Sequence, residues 1–177
     1  PLLRARGLEI TRWREAGGDP GSIVPFRWDI FARCGDPAHA DADKRGDVRG
    51  DAYGSPDGLW FDPRGLLWIQ TDISTSALNK GDYANLGNNM MLAADVATGE
   101  TRRFLVGPAG CEVTGVVMTP DLTTMFVDIQ HPGESPSERA DPDRPKAISS
   151  WPDGPSGGRP RSATIVVRRR DGGIVGS

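Results

Sequence analysis

The sequence predicts an all-β chain, part of a β-propeller built from four-stranded antiparallel blades. Three observations carry this expectation. The longest apolar stretches, such as Gly58–Phe61 and Thr164–Val167, have only strand length. They are bounded by turn residues and pair off into hairpins. The hairpins repeat: Gly58 in SPDGLWFDPRGLLWIQTD aligns with Gly115 in EVTGVVMTPDLTTMFVDIQ, 57 residues on. Four strands per unit at such spacing is the signature of a propeller blade, ordinarily about 40–50 residues. A sandwich also uses closely spaced hairpins, but the repeat favours the propeller. Alternating helix patterns are absent, which argues against βαβ units.

The elements follow in order. Gly7–Trp13 (GLEITRW) reads as a strand-like start, and Phe26–Arg33 (FRWDIFAR) is aromatic and β-branched up to Gly35–Asp36–Pro37. Residues 36–54 carry almost no apolar content and read as a long polar loop. Gly58–Phe61 and Leu66–Thr71 form a hairpin around Asp62–Gly65, where proline and glycine sit where a tight turn wants them. Asn89–Val96 and Thr101–Val106 form a second around Ala97–Glu100. Gly115–Met118 and Thr124–Ile129 form a third around Thr119–Thr123. Ser162–Arg169 and Gly173–Val175 form the last around Arg170–Gly172, after a Pro-, Ser- and Gly-rich insertion over 131–161.

Composition narrows the partners. Gly 23 and Pro 15 make about a fifth of the 177 residues, against roughly an eighth in ordinary chains. With 37% hydrophobic and 25% charged residues the chain is turn-rich without a disordered composition. A net charge of −3 gives no reason to expect nucleic acid or an anionic membrane as partner. No apolar run approaches the roughly 18 residues of a bilayer span. Cys34 and Cys111 lack CxxC spacing and read as independent buried side chains, not as a disulfide or zinc site. At 57 residues per unit the chain holds about three blades, and propellers close with four to eight. Residues 1–177 are therefore read as a single partial propeller domain, completed by the remaining blades of a longer chain in preference to another subunit.

In a propeller the first strand of each blade lines the central channel, so side chains from several blades converge at its mouth. Calcium takes six to eight oxygen ligands at flexible geometry, which suits donors delivered one per blade. The loops leading into the two repeat strands are Ser55–Gly58 and Cys111–Gly115, and each places an acid close to the repeat glycine. Asp57 and Glu112 are the candidate metal ligands. Pro-Asp-Gly is also an everyday turn tripeptide, and Glu112 could equally be salt-bridged or solvated. Asp62 and Asp121 are explained by turn chemistry, and Asp72 by a solvated strand end. Asn88–Asn89 are read as local caps before MMLAAD. His131 is a candidate hydrogen-bond partner behind a ligand, and His39 reads as exposed. Arg168–Arg170 alternate across a strand and cannot converge on one anion. No serine triad, phosphate-binding Gly-rich loop or dinucleotide fingerprint is present, and no residue is assigned a catalytic role.

GSPDGLWFDPRGLLWIQTD, NNMMLAADVATGETRRFLVGPAGCEVTGVVMTPDLTTMFVDIQHPGE and SSWPDG…RPRSATIVVRRRDGG together resemble the C-terminal part of PhoX-type alkaline phosphatases. The resemblance covers roughly residues 53–177; the first 50 match only through WDIFARCGDP. It implies a six-bladed propeller, exported to the periplasm or secreted, that hydrolyses phosphomonoesters with a cluster of iron (Fe3+) and calcium (Ca2+) ions. It implies that Asp57 is a cluster ligand and Glu112 a second ligand or its neighbour. The family's further ligands, an upstream cysteine among them, lie outside this sequence, and neither Cys34 nor Cys111 has that cysteine's context. The chain alone is expected to be inactive. Two other readings stay open: a non-catalytic calcium-binding secreted propeller, and a lactonase-type propeller hydrolase using one divalent cation.

Overall fold

The computed structural model describes residues 2–6, 9–15, 17, 25–135, 137 and 141–177. Gly7 and Leu8 of the strand expected at Gly7–Trp13 lie outside the described residues. Three antiparallel sheets carry the chain. The first joins β1 (Leu2–Arg6), β2 (Glu9–Glu15) and β3 (Phe26–Arg33). The second is the meander β5 (Pro56–Phe61), β6 (Leu66–Thr71), β7 (Met90–Asp95) and β8 (Glu100–Val106), the form of a propeller blade. A two-residue strand, β4 (Arg49–Gly50), adds to β8 in parallel. The third sheet holds β9 (Glu112–Met118), β10 (Thr124–Gln130) and β11 (Ala163–Arg168), with β10 in the middle. The described residues contain only two helical turns, Ala42–Lys44 and Gly81–Tyr83.

Period-2 alternation explains how the middle sheet is buried. Leu67, Ile69, Met90, Leu92 and Ala94 point to one face and pack with Ile10, Cys34 and Tyr53. Trp68 and Met91 point to the other and pack with Val113, Met125, Val127 and Ile129 of the third sheet. Both faces are therefore covered, which explains why MMLAAD reads as an almost continuous apolar run. Phe104 meets the Trp68 ring edge-on at 4.9 Å. The outer sheets are covered on one face only. Phe26, Trp28 and Ile30 alternate along β3 and are exposed. On the third sheet Phe126 pairs with Val117 and Val166, both more than half exposed.

The repeat glycines have a structural reason. Asp57 and Gly58 together oppose Gln70, and Gly115 is the extra residue opposite Val127 and Asp128, so each marks a β-bulge in the first strand of its hairpin. Gly115 sits at φ 56, where a Cβ would stand 2.7 Å from Asp128 Oδ2.

Two expectations are corrected. Gly173–Val175 is not a strand: the Val175 amide donates to the Leu122 carbonyl and the tail packs under the β9–β10 turn, leaving β11 paired only with β10. His39 is not a free surface group: its Nε2 lies 3.1 Å from Asp82 Oδ1, and Lys44 binds the same carboxylate.

Candidate functional site

The hairpin register brings the start of each first strand beside the end of the second. In the middle sheet Pro56 pairs with Thr71, which places Asp57 and Asp72 at one rim. In the third sheet Glu112 pairs with Gln130, followed by His131. Contacts between β9 and β5, β6 and β7 bring the two rims together. Glu112 is the first residue of β9 itself, not part of a loop leading into it. It is buried, accepts a hydrogen bond from Gln130 Nε2 at 2.8 Å, and stands 3.5 Å from His131 Nε2. Asp57 is exposed at the bulge of β5. His131 and Ser55 both hold positive φ without being glycine, at 36 and 46. Such backbone outliers gather at functional sites.

Charge marks this rim. Burial pushes the Glu112 carboxyl above its ordinary value, and repulsion from Asp72 and Asp57 adds to it against the attraction of His131. Desolvation likewise raises Asp72, with Asp57 and Glu134 pushing the same way. Acidic side chains of two adjoining sheets therefore act on Asp72 and Glu112 across the rim. A buried amide holds them there. Asn89 Oδ1 accepts from the Ile73 amide at 2.6 Å and from the Thr71 hydroxyl, while Nδ2 donates to the carbonyls of Ile73 and Cys111. The residues on both sides of Asp72 and the one before Glu112 are thus tied to a single side chain. With all these bonds made, Asn89 caps the two rims and has no atom left over for an ion.

Carboxylate oxygens are donors that suit a hard cation such as calcium, with the His131 ring beside Glu112. His131 Nδ1 is moreover buried without a hydrogen bond. Among the described residues no three His, Cys, Asp or Glu side chains stand close enough to enclose a metal by themselves. Cys34 and Cys111 are free and buried, and burial pushes each thiol up to about 12. Neither presents a thiolate at neutral pH.

The other acidic candidates stand apart. Asp62 and Asp121 occupy the turns at the far ends of β5 and β9, roughly 20 Å from the rim at about 3.3 Å per residue. Asp62 serves its own turn and Trp68, and Asp121 accepts from the Thr119 hydroxyl and the Thr123 amide. Arg168 donates to the Thr124 hydroxyl and Arg169 to Asp171, so the arginine run does not converge. Asp72 is exposed directly after β6, as expected of a solvated strand end, and the hairpin pairing puts it beside Asp57.

Fold and site define a propeller-type β chain that gathers carboxylates at one rim of adjacent blades. The profile of the family "Alkaline phosphatase PhoX" matches residues 5–133. The chain belongs to the alkaline phosphatase PhoX family. It is also similar to a solved structure, Pseudomonas fluorescens PhoX in complex with vanadate, a transition state analogue, at 46% identity and a TM-score of 0.78. That likeness covers 95% of this chain and 27% of the other, so the chain spans about a quarter of that relative's length. No curated protein sequence matches significantly. No helix among the described residues is long and apolar enough to cross a membrane.

Proposed function

We propose that this chain is the C-terminal part of a metal-dependent phosphomonoesterase of the PhoX type and supplies one rim of its metal centre. The observation that carries the reading is the placement of Asp57 and Asp72 at the rim of one sheet and Glu112 at the adjoining rim of the next, where burial first and neighbouring carboxylates second raise Asp72 and Glu112. Asp57 and Glu112 would hold the ions, calcium and iron by family resemblance, with ligands from the remaining blades of the longer chain completing the set. When bound, such ions neutralise charge developing on a transferred phosphoryl group. This chain's own residues orient that site. Gln130 fixes the Glu112 carboxylate, and His131 flanks the same oxygen. Asn89 holds the rims in register. Family resemblance places the protein in the periplasm or outside the cell.

The test is metal analysis of the full-length protein purified without chelator, beside p-nitrophenyl phosphate turnover. Iron with calcium is expected, and Asp57→Ala lowers both metal content and turnover. Calcium without iron and without turnover would refute the phosphatase reading.

A further inference from the structure

An open cavity of ≈ 630 Å³ lies beside the carboxylate rim, within the roughly 300–1,000 Å³ of small-molecule sites. Ser74, Thr75 and Ser76 after β6 form one wall; His131 and Glu134 after β10 form a second; Arg159 contributes a third. His131 joins the cavity to the rim, because the same ring stands 3.5 Å from Glu112.

The lining has a definite chemistry. It consists of hydroxyls, carboxylates, a guanidinium, the His131 imidazole and four prolines, with no Phe, Tyr or Trp among the lining residues described. Ser74 Oγ and Ser76 Oγ lie 2.9 Å apart. Such a pair consumes only one of its two hydroxyl hydrogens, leaving a donor and several lone pairs. Thr75 Oγ1 donates to Glu134 Oε2 at 3.1 Å, which orients a carboxylate that is 48% exposed and can accept further bonds. Arg159, an exposed residue with no ion pair among the described residues, also lines the cavity and adds a positive charge to it. Interleaved donors and acceptors match adjacent hydroxyl groups.

Resting on the phosphomonoesterase reading above, we infer that this cavity receives the alcohol side of the substrate. It selects esters of small polyhydroxylated alcohols, a glycerol or a sugar, over plain alkyl ones. The test compares kcat/KM for glycerol phosphate and ethyl phosphate on the full-length metal-loaded enzyme. Both are alkyl monoesters, so the ratio reports chiefly the added hydroxyls. The wild type favours glycerol phosphate, and Ser74→Ala with Ser76→Ala lowers that ratio about tenfold, as loss of one or two neutral hydrogen bonds would. Thr75→Val, which frees Glu134, lowers it as well. A ratio near one in the wild type, or one that the variants leave within twofold, overturns the assignment while turnover of both esters keeps the phosphatase reading. If neither ester is hydrolysed, the phosphatase reading itself falls and this assignment falls with it.

Discussion

Replacing Asp62 by alanine should destabilise the chain more than any other single change at a hairpin turn. Its side chain is inaccessible to solvent. Oδ1 accepts from the amides of Arg64 at 2.8 Å and Leu66 at 3.2 Å, while Oδ2 accepts from Arg64 Nε and Nη2 and from Trp68 Nε1. Burial alone would raise this carboxyl, but the bonds outweigh it and hold it below its ordinary value. Arg64 also reaches the Val175 carbonyl at 2.9 Å, so the same carboxylate anchors the C-terminal tail. Asp62→Ala strands the Trp68 indole and Leu66 amide in the protein at about 1–3 kcal/mol each, while the partly exposed Arg64 turns to water. The net loss is about 3–5 kcal/mol, the range for breaking a buried pair from one side. At roughly 2–4 °C per kcal/mol for a chain of this size, the melting midpoint falls by roughly 6–20 °C. Asp62→Asn keeps Oδ1 for the two turn amides but turns an NH2 donor toward Arg64 Nε, Arg64 Nη2 and Trp68 Nε1, so it recovers only the turn bonds and its cost lies close to that of alanine. Far-UV circular dichroism during heating reads both. A cost below about 1 kcal/mol for alanine, or an asparagine variant as stable as the wild type, would show that the carboxylate does not organise this turn.

Two further outcomes follow from the geometry. Gly50→Ala places a Cβ 2.2 Å from the Thr101 carbonyl oxygen at φ 114, a backbone clash no rotamer relieves. A loss of more than about 2 kcal/mol is expected, and urea unfolding that leaves the midpoint unmoved would count against the β4–β8 pairing. Asp29, held at about 2 chiefly by its hydrogen bond to Arg12, is depressed in the folded state. Its contribution is therefore present above the unfolded value near 3.8 and lost as pH falls toward 2. Asp29→Asn should flatten the stability profile in that acid window alone, and an unchanged profile there would discard the pair.

Much of this architecture is legible locally. Each hairpin announces itself through a turn whose chemistry lies within five residues, as with Asp62–Gly65 and the Thr119–Thr124 turn, where Thr119 and Thr124 bond each other. The repeat of Gly58 and Gly115 is legible for the same reason, since each bulge needs a small residue on the spot. What stays hidden depends on distant partners. Val175 looks like a strand residue until Leu122, 53 residues earlier, takes its amide. His39 looks exposed until Asp82 arrives from another loop. Asn89 looks like a local cap, and only the arrival of Cys111 from the next blade shows that it bridges two sheets. Glu112 was readable as a candidate because a carboxylate beside VTGVVM invites a reason. Asp72 reads only as a strand end, because what raises its carboxyl, desolvation first and then the charges of Asp57 and Glu134, exists only in the assembled rim.

The tie made by Asn89 has a consequence for when repulsion among the rim carboxylates is overcome. Four hydrogen bonds from one inaccessible amide fix the spacing of Asp72 and Glu112 as the sheets assemble, so the like charges are forced together during folding and not upon ligand capture. The geometry of the rim is thereby set in the hydrophobic interior, at a side chain whose own hydrogen bonds are already complete.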